Sequence, residues 1–125
     1  MALQEQVRSL SIPASADLSA QQFRFMAIDG NGRIALPAAG GDCVGVLQDK
    51  PDALDRVGEV AMLNMSGKLK VVAGANLAAG VKIQSDGAGA ALAALTGDHV
   101  LGTTASAAST GELIEFYPSS RMLLP

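Results

Sequence analysis

Short apolar runs, each stopped by glycine, proline or aspartate, set the rhythm of this chain. Val7, Leu10 and Ile12 alternate loosely with polar residues until Pro13 ends the run, which predicts an edge strand or an extended arm over residues 1–13. Residues 14–22 fit a single helical turn with Ser15 or Asp17 as its N-cap. Phe23 to Ile28 and Arg33 to Leu36 flank Asp29-Gly30-Asn31-Gly32, a hairpin signal, because glycine and asparagine accept positive φ at low cost. Cys43 to Gln48 is the next strand, followed by a polar connector over 50–56. Val57 to Leu63 and Lys68 to Val72 form a second hairpin candidate around Ser66-Gly67, and further strands are expected at 80–85, 90–95, 99–104 and 111–117.

An internal repeat underlies this punctuation. A shift of 57 positions places Asp29 on Asp86, Gly30 on Gly87, Gly32 on Gly89, Gly40 on Gly97 and Gly45 on Gly102. Opening a four-residue gap then places Gly58-Glu59 on Gly111-Glu112. The expected fold is therefore all-β with at most short helical turns. It is a compact sandwich or barrel-like domain over 14–117, built from two similar units at about 25–63 and 82–116. Extended segments flank it at 1–13 and 118–125. Gly30, Gly32, Gly87 and Gly89 are its predicted tight-turn residues, with positive φ at one or more of each pair.

Composition narrows the function. A chain of 125 residues is one domain of ordinary size and needs no disulfide to hold a core. Cys43 is the only cysteine and reads as a small buried hydrophobe. Charged residues make up 17% of the chain, against about 25% in typical domains, so part of the exterior is a candidate for burial against other copies or another protein. The net charge of −3 and nine scattered Lys and Arg argue against nucleic acid. No apolar run approaches the roughly 20 residues that span a bilayer, and the opening MALQEQVRSL does not read as a signal peptide. No membrane partner is expected, and the protein is expected to act in the cytoplasm or in a particle assembled there.

Catalytic chemistry finds no foothold in the pattern. His99 is the only histidine and has no companion ligand nearby. No serine sits in a nucleophile-elbow context. The Asp29–Gly32 segment lacks the later acidic positions of a calcium loop. Neither glycine-rich stretch ends in the Lys-Ser/Thr of a phosphate loop. Glu59 and Glu112 read as repeat-related positions at two strand starts. No enzyme activity, metal or cofactor is expected.

Four stretches, taken in order, resemble a known family: SLSIPASADLSAQQFRFMAIDGNGRIAL, VGVLQDKPDALDRVGEVAML, SGKLKVVAGANLAAGVKIQSDGAGAAL and HVLGTTASAASTGELIEFYP. Together they are similar to the capsid decoration, or cement, proteins of tailed bacteriophages. The resemblance covers about residues 9–117, and the order of the motifs along the chain carries it. It implies a β-rich fold, oligomers that are often trimers, and a place on the outer capsid surface of the virion. It also implies the major capsid protein as partner and a role in stabilising the mature head. The terminal segments lie outside the match. Val7, Leu10, Ile12, Met122, Leu123 and Leu124 are the candidate capsid or neighbour contacts, the alternative for both ends being frayed chain. A different class of function, a β-rich binding module such as a head-fibre base or a glycan-binding domain, is the competing reading. The absence of Trp and a single Tyr disfavour its glycan-binding form.

Overall fold

The computed structural model describes residues 9–64 and 67–119. Ten strands follow one another: β1 (Ser9–Pro13), β2 (Phe25–Ile28), β3 (Ile34–Ala35), β4 (Gly45–Leu47), β5 (Val57–Met62), β6 (Leu69–Val72), β7 (Lys82–Ser85), β8 (Ala91–Ala93), β9 (Gly102–Thr104) and β10 (Leu113–Pro118). No helix occurs among the described residues, so the protein is all-β. In place of the expected turn of helix after Ala14, the Asp17 carboxylate accepts hydrogen bonds from the Ser19 amide at 2.9 Å and the Ser19 hydroxyl at 2.7 Å. That local bond satisfies the same groups an N-cap would, without a helix to follow.

The strands form two antiparallel five-stranded sheets. One runs β1-β5-β4-β2-β3 and the other β6-β10-β9-β7-β8, which is the same order five strands later. Each sheet curls until its edges meet. Ala14 bridges Ile34 in the first, and Ala73 bridges Ala91 in the second. The Ser15 amide donates to the Ile34 carbonyl at 2.9 Å, and Gly74 donates to Ala91 at 2.8 Å. Closure of this kind pairs strand edges that would otherwise be left open.

Backbone detail repeats with the topology. Among the described residues eight have positive φ, and they fall into four matched pairs: Phe23 with Gly80, Gly32 with Gly89, Gly40 with Gly97, and Asp55 with Gly111. The first three pairs keep the 57-residue shift. Beyond β4 and β9 the shift becomes 56, as the register shows: Gly45 faces Met62 where Gly102 faces Pro118. The four-residue gap expected from sequence is therefore a single deletion. Glu59 corresponds to Glu115 rather than to Glu112. Both lie beside the first strand of their own unit, Glu59 accepting from the Ser9 and Ser11 hydroxyls and Glu115 pairing with Lys68 at 3.5 Å. The expected β5–β6 hairpin is also corrected. β5 already has β1 on one side and β4 on the other, so β6 begins the second sheet and pairs with β10.

Period-two alternation gives β2, β4 and β5 a face toward each of two cores. Met26, Leu47 and Val60 point into the first unit with Ala14, Leu18 and Ile34. Their chain neighbours Phe25, Val46 and Ala61 turn the other way, with Cys43 and Leu63, and pack into the core of the second unit against Leu69, Ile83, Leu101, Ile114 and Phe116. The first unit therefore has a core of its own, while the second shares its core with the outer face of the first.

Candidate functional site

Hydrogen bonds seal the junction between the units. Phe25 N donates to Gly89 O at 2.8 Å, Val72 N to Phe23 O at 2.8 Å, and the Arg24 guanidinium to Ala88 O at 3.0 Å. Gly40 sits in the angle, donating to Ser85 O at 2.8 Å and Gln84 Oε1 at 3.0 Å, and accepting from His99 N at 3.0 Å. A Cβ on Gly40 would run into the Asp98 carboxylate. Every buried side-chain nitrogen and oxygen among the described residues has a partner. Thr104, which stands where the first unit has Leu47, accepts from Val81 N at 2.9 Å and donates to Ala78 O at 2.7 Å.

His99 lies in this seam, half-buried, with Nδ1 3.2 Å from Gly40 O. It is the only histidine of the chain, and the Asp98 carboxylate lies against the same Gly40. Among the described residues no group of three or more His, Cys, Asp or Glu could hold a metal ion. Cys43 is buried in the shared core. On the first unit Arg33 forks onto Asp55 at 2.6 and 3.3 Å. That ion pair holds the Asp55 carboxyl below its ordinary value of 3.8 and raises Arg33. The backbone amides of Arg33 and Asn31 do the same for Asp29, at 3.0 and 2.8 Å. The Asp29 bonds shape the turn between β2 and β3.

The candidate contact residues separate on inspection. Val7, Met122, Leu123 and Leu124 lie outside the described residues. Ile12 is half-buried and packs onto the first core, so its side chain is committed inward. Leu10 is 49% exposed on the edge strand β1. Of the turn glycines, Gly32 and Gly89 have φ of 78° and 82°, while Gly30 and Gly87 do not enter the left-handed region. Sequence reasoning missed Ile28, Leu95 and Tyr117, large side chains exposed by 42%, 69% and 54%. Ile28 and Tyr117 follow the same strand periodicity as buried neighbours, while Leu95 lies past the end of β8.

The fold has a solved counterpart. Over 96% of this chain and 99% of the other, it superposes on the crystal structure of the head fiber gp8.5 N base in bacteriophage phi29, with a TM-score of 0.75 and 20% sequence identity. At that identity the likeness is one of fold. No family model matches the chain, and no curated protein matches it.

Proposed function

We propose that this chain is a structural component of a tailed-phage virion that binds the outer capsid surface as a homotrimer and stabilises the mature head. The observation that carries the proposal is the near full-length fold likeness to a phage head fiber base, reached independently of the sequence resemblance to capsid cement proteins. The described surface adds large exposed apolar side chains. A ligand that binds only the assembled shell stabilises it by mass action. Three linked contacts gain about 10²–10⁴ in avidity over one, so each can be weak. The major capsid protein is the partner this reading requires. A head-fibre base is the second reading, favoured by the identity of the solved counterpart.

The test is to mix the purified protein with heads that lack it, then measure cosedimentation and the temperature of DNA release. Binding with a raised release temperature supports the proposal. Binding with an unchanged release temperature favours the fibre-base reading, and absence of binding refutes both. Removing residues 1–8, and separately 121–125, tests Val7 and Met122, Leu123 and Leu124 as capsid or neighbour contacts, full occupancy by both truncations counting against them. The first cut must spare β1, because residues 9–13 pair with β5 along their whole length.

A further inference from the structure

Two repeated units that meet through unlike faces leave one of each face unused. At the junction the first unit presents its outer face, with Phe25, Val46 and Ala61, and the second unit receives it beside Leu69, Phe116 and the β7–β8 turn. Carrying the outer face across the repeat gives Lys82, Thr103 and Tyr117 on the second unit. Lys82 and Tyr117 are exposed. Carrying the receiving end back gives Leu10 for Leu69, Ile28 for Ser85, Asp42 for His99, and, for Phe116, Val60, which is already buried in the first unit's own core. Leu69 and Ser85 are buried at 4% and 0%, whereas Leu10 and Ile28 are 49% and 42% exposed. Part of the backbone that makes the junction recurs at these ends, although Val72, whose amide donates to Phe23 O, corresponds by register to Pro13, which has no N–H. Gly32 and Gly97 hold the same positive φ as the Gly89 and Gly40 that meet there.

We infer that two copies of this chain dock head to tail, the Lys82–Tyr117 face of one molecule seating on the Leu10–Ile28 end of the next. The inference deepens the self-association proposed above and rests on it. Three observations select a second copy as the occupant. The internal junction is a working example of these two faces in contact. The charges are complementary, with Lys82 on one face and the carboxylates of Asp29 and Asp42 on the other. The apolar Leu10 and Ile28 stand uncovered where their counterparts are buried. Lysine in place of Phe25, threonine in place of Val46 and tyrosine in place of Ala61 make this contact more polar than the internal one, as suits partners that must also exist apart. The interface is heterologous, and it gives the proposed trimer when its rotation closes after three copies.

The experiment uses two full-length variants. Leu10→Lys with Ile28→Lys blocks the receiving end, and Lys82→Glu with Tyr117→Glu blocks the outer face. All four side chains are exposed, and circular dichroism checks that each variant folds. By sedimentation velocity and native mass spectrometry the unaltered protein is expected as an oligomer and each variant alone as a monomer. Mixing the two variants is expected to yield a complex containing both, because each retains the end the other lacks. A variant that still oligomerises alone, or a mixture that stays monomeric, overturns the head-to-tail contact. If the unaltered protein is itself monomeric in solution, its trimers on heads are tested by adding each variant: undiminished occupancy by both also overturns it. Loss of head binding by the unaltered protein would instead strike the proposed function, so the two failures are distinguishable.

Discussion

Phe25 meets Phe116 edge to face, with ring centroids 5.5 Å apart and planes inclined by 65°, although the two belong to different repeats. Both are fully buried. The repeat counterpart of Phe25 is Lys82, which is exposed. Truncating a buried phenylalanine to alanine costs about 3–5 kcal/mol. Phe25→Ala is expected to lower stability by that amount in urea titration, while Lys82→Ala changes it by less than about 0.5 kcal/mol. Equal effects at the two positions would mean that the units do not share a core.

Gly32 and Gly89 occupy matched turns with matched φ, yet their surroundings differ. A Cβ on Gly32 meets open space, whereas one on Gly89 comes within 2.7 Å of Phe25 O and 3.0 Å of the Arg24 side chain. Valine at Gly32 carries only the backbone strain, about 1–3 kcal/mol. Valine at Gly89 carries that strain and also wedges the junction open. Thermal melting should rank Gly89→Val clearly below Gly32→Val.

Acid should weaken the protein through its turns. Asp55 is held low by Arg33, Asp29 by the amides of Arg33 and Asn31, and Asp17 by Ser19. Each depressed carboxyl binds its proton later in the folded state than in the unfolded chain. Stability from these groups is present above their ordinary value of 3.8 and is lost as pH falls through the lower folded value. Asp55→Asn keeps a residue that tolerates positive φ. A melting series from about pH 5 to pH 2 should show a shallower acid limb for this variant. An unchanged limb would discount the Arg33 pair.

Cys43 is 1% exposed in the shared core. A thiol reagent should fail to label it in native buffer and should label it fully in denaturant. Labelling before the cooperative transition would reveal separation of the two units.

The repeat was legible in the chain because its markers are backbone requirements. Gly32 with Gly89 and Gly40 with Gly97 keep positive φ in both copies. Where the first copy meets the same requirement without glycine, at Phe23 and Asp55, the residue types carry no such marker. The misplaced gap has a related cause. Gly58 and Gly111 look alike in sequence but are glycines for different reasons. Gly111 has a φ of 87° and corresponds to Asp55. Gly58 lies in a strand, where a Cβ would press on Leu47 and Pro51 at 3.0 Å, and its counterpart is Ile114. The β5–β6 hairpin was misread because neighbouring strands usually pair, while β5 is already paired on both sides. Which face of the second unit stays uncovered could not be read from alternation alone.

The uneven ownership of the two cores gives the molecule a direction in time. Synthesis delivers the first unit before the second, and the side chains Met26, Ile34, Leu47 and Val60 that fill it all come from that earlier segment. The nascent first half can condense while the rest is still being made, displaying Phe25, Val46 and Leu63 as a template on which the later strands close. A pulse of deuterium during refolding should find the amides of β4 and β5 protected before those of β9 and β10.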